Sequence, residues 1–178
     1  MNRSEELERR VVAQRLRNRR RALSAALVEL LGEAAPEPVA DVVEVERLCA
    51  AIHASYGVAQ EGEVIVRGSW RAEDAGELRA VFGRVARGLG RRGVWVLDLG
   101  WDPQAFASDS DTVLGDPLGF AEATGHHLAI LDAGAPAGLS LARHTYHYGP
   151  EVKRFTWELE AWGEPWRSAT AAALGGSG

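Results

Sequence analysis

Apolar residues recur at helical spacing through the first thirty positions of the chain. Val12, Leu16, Leu23, Leu27, Leu30 and Leu31 form a narrow stripe over residues 4–31, interrupted where Arg19 and Arg20 fall. Ser4 followed by Glu5, Glu6 and Glu8 suits a helix N-terminus, where the dipole favours acids, and Gly32 supplies a stop. The pattern predicts one long helix whose C-terminal half packs on something while the stretch 15–21 stays wet. A Pro-containing linker at 33–40 leads to a second helix over 41–56. Asp41 and Glu44 cap it, Val42, Val45, Cys49, Ile52 and Tyr56 line one face, and Gly57 ends it.

Residues 63–68 read as a strand. A third amphipathic helix follows over 72–89, with Leu78, Val81, Phe82, Val85 and Leu89 opposite Glu73, Arg79, Arg84 and Arg87. The near-continuous apolar run at 94–101 reads as a central strand covered on both faces. If the two strands are neighbours, the crossover between them is right-handed. Residues 102–125 form a long connection carrying Asp102-Pro103 and Asp116-Pro117. Asp as N-cap with Pro at the first helical position predicts two short helical turns, and connections this long are often functional. A further strand is expected at 127–132.

The last strands form a hairpin around Gly149-Pro150-Glu151-Val152. Placing Tyr148 opposite Lys153 sets Tyr146 against Phe155, His144 against Trp157 and Ala142 against Leu159 on one side. The other side then pairs His147 with Arg154, Thr145 with Thr156 and Arg143 with Glu158. Such pairs contribute roughly 0.2–1 kcal/mol each, and a one-residue slip scrambles them all. Trp162, Pro165 and Trp166 close the strand, and a short helix follows. The expected fold class is α+β: a mixed, mainly antiparallel sheet of about five strands, helices packed on one face, and a long N-terminal helix. The expected organisation is a basic helical arm at 1–35, one α+β domain at 41–174 and a disordered tail at 175–178.

Length and composition agree with one core: 178 residues, 46% hydrophobic and 25% charged. Charge changes the picture more. Residues 1–21 hold eight arginines against three glutamates, while 93–142 hold no cation and seven acids: Asp98, Asp102, Asp109, Asp111, Asp116, Glu122 and Asp132. Such asymmetry speaks of electrostatic partners rather than of fold. It leads to the expectation of a non-enzymatic protein-binding or regulatory protein. Its acidic, Trp-bearing surface (Trp101, Asp102, Asp109, Asp111 and Asp116) would dock a basic partner, and an immunity or inhibitor protein has this profile by physical analogy. The arm would drive homo-oligomerisation through Leu16, Leu23, Leu27 and Leu30. A second expectation is nucleic-acid binding through Arg15, Arg17, Arg19, Arg20 and Arg21, opposed by the acidity of the rest and by the lack of a reading-head motif.

Candidate chemistry is sparse. On a strand, His126 and His127 point to opposite faces, as do His144 and His147, so neither pair converges on one ion. Asp109 and Asp111 could offer oxygen ligands to a divalent cation with Asp102 or Asp116, although the spacing is not that of an EF-hand. Asp98 interrupts an apolar strand and must find a partner or lie at the strand's end. If the chain is an enzyme, it is expected to depend on a divalent ion and to use Asp98 and the acidic 102–116 loop, with His126 or His127 beside them as catalytic groups. No phosphate-binding glycine loop or nucleophile elbow is present, and no cofactor is expected. Cys49 is the single cysteine and reads as a packed thiol. No apolar run reaches the ~20 residues of a membrane span, and no apolar segment follows the charged N-terminus, so cytoplasmic residence is the default expectation.

Overall fold

In a computed structural model the chain is described over residues 3–62, 64–100, 102–148 and 152–175. The order is α1 (Arg3–Leu31), a 3-10 turn (Gly32–Ala34), α2 (Val42–Glu61), β1 (Val66–Arg71), a 3-10 turn (Ala72–Asp74) and α3 (Ala75–Leu89). Then come β2 (Gly93–Asp98), β3 (Gln104–Asp109), α4 (Ser110–Gly115), α5 (Pro117–Ala123), β4 (His127–Asp132), β5 (Gly138–Tyr148), β6 (Val152–Trp162) and α6 (Trp166–Gly175). The strands form one six-stranded sheet in the order β1-β6-β5-β4-β2-β3, antiparallel at every pairing. The fold class is α+β, with a long N-terminal helix.

Alternation along the strands divides the core in two. Val94, Val96, Phe106, Leu128, Ile130, Leu139, Leu141 and Leu159 face α3, α5, α6 and the C-terminal half of α1, which contributes Leu23 and Leu27. Leu97, Ala105, Ala129, Leu131 and Trp162 face Val45, Leu48, Ile52 and Ala59 of α2. Helices therefore collect on one face, and α2 alone lies across the other. The C-terminal half of α1 belongs to the domain rather than to a separate arm.

Several expected boundaries shift. α2 runs through Gly57 to Glu61, because Ala59 is buried and an internal glycine costs only about 1 kcal/mol. β1 begins three residues late, which puts Trp70 on the core face against Trp157 of β6. Asp116-Pro117 does open a helix, α5, but Asp102-Pro103 leads into β3, the sixth strand. Its run of small residues around Phe106 hid it. β1 and β2 are separated by β6, β5 and β4, so the neighbour rule for crossovers does not apply to α3.

The hairpin register is corrected by one residue. Tyr148 opposes Val152, Thr145 opposes Phe155 and Arg143 opposes Trp157. This register sets Leu141 against Leu159 and Leu139 against Ala161, four residues that share the buried face. The expected register would have put Leu141 opposite Glu160. Burial at the base of the hairpin therefore outweighs pair chemistry near its tip. Arg143 recovers part of that chemistry by lying over the rings of Phe155 (4.8 Å) and Trp157 (5.9 Å). The turn at 149–151 and the tail at 176–178 lie outside the described residues.

Candidate functional site

The acidic segment is largely neutralised within the chain. Asp98 is buried at the end of β2, where Arg19 of α1 donates to Oδ2 from Nε at 3.0 Å and Nη2 at 2.5 Å. Its Oδ1 accepts from Gly100 N at 3.1 Å. Asp102 meets Arg15 at 2.6 Å. Asp132, also buried, accepts from Trp166 Nε1 at 2.8 Å and Gly134 N at 2.8 Å. Arg92 Nε lies 2.6 Å from Asp132 as an ion pair outside hydrogen-bond geometry.

The remaining acids of the segment act locally or face water. Asp109 caps α4 through Thr112 N (3.0 Å) and Thr112 Oγ1 (3.0 Å), with Arg91 at 3.3 Å. The Thr112 amide first, then its hydroxyl and Arg91, holds the Asp109 carboxyl below its ordinary range against the opposing effect of burial. Asp116 caps α5 through Gly119 N at 3.2 Å. Asp111 and Glu122 are exposed. Asp109 ends β3 and Asp102 lies two residues before it begins, so the length of the strand, roughly 17 Å, separates them. Trp101 lies outside the described residues.

The other expected groups are only partly brought together. By alternation Asp98 follows Val94 and Val96 on the α1 face of the sheet and His127 follows Ala129 and Leu131 on the α2 face, yet the Asp98 charge still reaches His127 and opposes the lowering of its pKa. His126 sits before β4 at φ 71°, with Nδ1 buried and without a partner. Burial and then Arg143 lower its pKa. Among the described residues, no group of three or more His, Cys, Asp or Glu side chains could hold a metal ion. Cys49 is half-buried, and that burial raises its pKa.

Along α1, Arg15 and Arg19 are committed to Asp102 and Asp98. Arg17 donates to Gln14 at 2.7 Å, Arg20 donates to the Ala40 carbonyl at 3.3 Å, and Arg21 is exposed. Leu23 and Leu27 are buried in their own domain and offer nothing to a second molecule, and Leu30 packs partly buried against the same cluster. Leu16 is half-buried. It lines a groove of about 420 Å³ with Val12 and Ala13 of α1, Val39, Val42 and Val45 around the start of α2, and Pro103.

A second concavity, of about 410 Å³, opens where α2 leaves the sheet uncovered. Ile52, His53, Tyr56 and Gln60 reach it from α2, Leu99 from the end of β2, His127 and Ala129 from β4, Ser140 from β5, and Glu160 and Trp162 from β6. Tyr56 meets Trp162 edge to face, with centroids 5.3 Å apart. The Tyr56 hydroxyl donates to Glu160 Oε2 at 2.7 Å, and Arg67 Nε donates to Oε1 at 2.7 Å. Trp162 Nε1 donates to Ser55 Oγ at 3.0 Å. Burial first, then the hydrogen bond to Glu160 and its charge, raises the Tyr56 pKa against the opposing effect of Arg67. Burial first, then His144, lowers the pKa of His127, against the opposing charges of Asp98 and Glu160.

The sequence pattern flagged His127 but not Tyr56, Ser140 or Glu160. Tyr56 read as part of a packing stripe. Glu158 and Glu160 carried the only available signal, since their alternation with buried Leu159 and Ala161 marks an open sheet face. No protein-family model, curated protein or solved structure matches this chain.

Proposed function

We propose that this chain is a non-enzymatic binding protein whose site is the cleft between α2 and the open part of the sheet, and that its ligand is a neutral, planar, hydrogen-bonding ring. One observation carries the reading. The imidazole of His127, the hydroxyl of Ser140 and the amide of Gln60 converge on an aromatic-walled cleft and have no hydrogen-bond partner among the described residues. Trp162, Tyr56, Ile52, Leu99 and Ala129 supply its apolar lining. Glu160 is matched by Arg67 and burial disfavours the charged form of His127, so the cleft favours a neutral ligand over a charged one.

The other readings need free charge. Docking of a basic partner would rely on Asp111 and Glu122, since Asp102 and Asp109 face arginines and Asp116 caps a helix. Nucleic-acid binding would rely on α1 arginines of which two already pair with acids. A divalent site at Asp109 and Asp111 would have to displace the α4 cap.

The test is heteronuclear NMR titration with nicotinamide, adenine and indole as probes. Saturable shifts are expected at the Trp162 indole N–H and the Ser140 and His127 amides, and they should vanish in His127→Leu. A spectrum that none of the three probes perturbs at those signals would remove the reading.

A further inference from the structure

The strand register places three polar groups of the cleft in order. On the α2 face of the sheet, Ala129, Ser140 and Glu160 lie side by side across β4, β5 and β6, and Arg67 of β1 stands beyond Glu160. His127 shares that face of β4 with Ala129, two residues away. Opposed side chains of neighbouring strands start about 5 Å apart and diagonal ones about 7–8 Å. Glu160, Ser140 and His127 therefore follow one another along the cleft, within reach of a single bicyclic ring. Its volume of about 410 Å³ admits a ligand of that size.

Glu160 has more bonding capacity than its partners use. A carboxylate offers about four lone-pair sites. The Tyr56 hydroxyl takes one on Oε2 and Arg67 Nε takes one on Oε1, each at 2.7 Å. An acceptor site is left on each oxygen of a side chain that lines the cleft and is 25% exposed. Two acceptors side by side fit two donors side by side, and hydrogen bonds to a charged acceptor are the strong ones. On a neutral planar ring, such an edge is a ring N–H next to an exocyclic amine. A guanidinium has an edge of the same shape but gains less, because Glu160 already faces Arg67. The Ser140 hydroxyl and the His127 imidazole, without partners among the described residues, supply donors farther along the cleft.

Resting on the reading of this cleft as a ring-binding site, we propose that its ligand class is the 2-amino-lactam heterocycle, the ring system shared by guanine and pterin, and that Glu160 sets the specificity. Glu160 accepts from the exocyclic amine and the ring N–H beside it. The Ser140 hydroxyl donates to the adjoining ring carbonyl, and the His127 imidazole donates to the ring nitrogen beyond. Guanine and pterin carry those four groups in the same order along one edge. Adenine places an acceptor next to its amine, which would meet a lone pair of Glu160, so it is disfavoured.

The experiment is calorimetric titration of the full chain with two matched pairs of probes. Guanosine is compared with inosine, which lacks only the exocyclic amine, and pterin with lumazine, which carries a carbonyl in its place. Guanosine or pterin is expected to bind roughly tenfold to a hundredfold more tightly than its counterpart, the effect of one hydrogen bond to a charged acceptor. The tighter of the two assigns a purine or a pteridine to the site. Glu160→Gln should erase the preference while inosine still binds, which also reports that the variant is folded. Tyr56→Phe keeps the carboxylate and should keep the preference. Ser140→Ala should weaken guanosine and inosine alike, since both carry the carbonyl. Equal affinities within both pairs, or a preference that survives in Glu160→Gln, would overturn the inference, and the cleft would still stand if nicotinamide or indole shifts the Ser140 and His127 amides. Silence from every ring would overturn both.

Discussion

Arg19 and Asp98 form an ion pair whose two ends differ in access to water: the arginine side chain is 40% exposed and the aspartate 3%. Removing the cation strands a buried carboxylate, which costs about 3–5 kcal/mol, with the Gly100 amide holding the loss towards the lower figure. Neutralising the acid leaves a guanidinium that can turn to solvent, a loss of about 1 kcal/mol. Arg19→Ala should therefore lower the urea midpoint several times more than Asp98→Asn, and equal losses would contradict the asymmetry. The sequence announced that Asp98 needed a partner because it broke an apolar strand. It could not name Arg19, which lies 79 residues away on another element. His127 permits a second expectation. Burial lowers its pKa from the ordinary 6.5, so the unfolded chain takes up a proton that the folded cleft refuses. Stability is complete above the ordinary imidazole range and falls as the pH drops below it. His126 behaves alike through its own burial. Thermal melts on either side of that range should show a smaller acid loss in His126→Gln with His127→Gln than in the wild type.

The β5–β6 hairpin shows where a local pattern stops deciding structure. Its two strands and their adjacency follow from alternation alone, yet the register does not, because several registers bring acceptable pairs together near the exposed tip. The buried end decides. Leu139 and Leu141 must share a face with Leu159 and Ala161, and that requirement comes from α3 and α6 packed above. The base of the hairpin is correspondingly unforgiving. A Cβ at Gly138 would lie 2.1 Å from the Ile130 carbonyl oxygen and 2.8 Å from the Trp162 ring. Gly138→Ala is thus expected to cost about 3 kcal/mol or more by chemical denaturation. Gly76→Ala, where a Cβ meets open space inside α3, should be neutral or stabilise by about 0.4–1 kcal/mol. If the two substitutions proved equivalent, packing at the base of β5 would not be what holds the register. β3 was illegible for the opposite reason. Its run of small residues carries little periodic signal, and its strand state derives from pairing with β2 along its whole length.

At the scale of the whole molecule, the charge gradient of the sequence reappears as a seam between α1 and the sheet's edge. The arginines of residues 15 and 19 reach the aspartates of residues 102 and 98, so a polarity that implied an external partner is in large part satisfied internally. One dimension of sequence reports the imbalance but not which molecule resolves it. The seam has a graded sensitivity to salt. Arg15 and Asp102 are 58% and 13% exposed, within easy reach of counterions, whereas Asp98 is almost fully enclosed. Screening shortens the reach of exposed charges to about 3 Å at molar salt and affects enclosed pairs far less. Raising ionic strength should therefore accelerate amide exchange along α1 before residue 16, leave it unchanged around Leu23 and Leu27, and barely move the global unfolding transition. Arg15→Ala should reproduce the fast exchange at low salt. If raised salt left exchange before residue 16 unchanged, the internal pair would not be what steadies the arm.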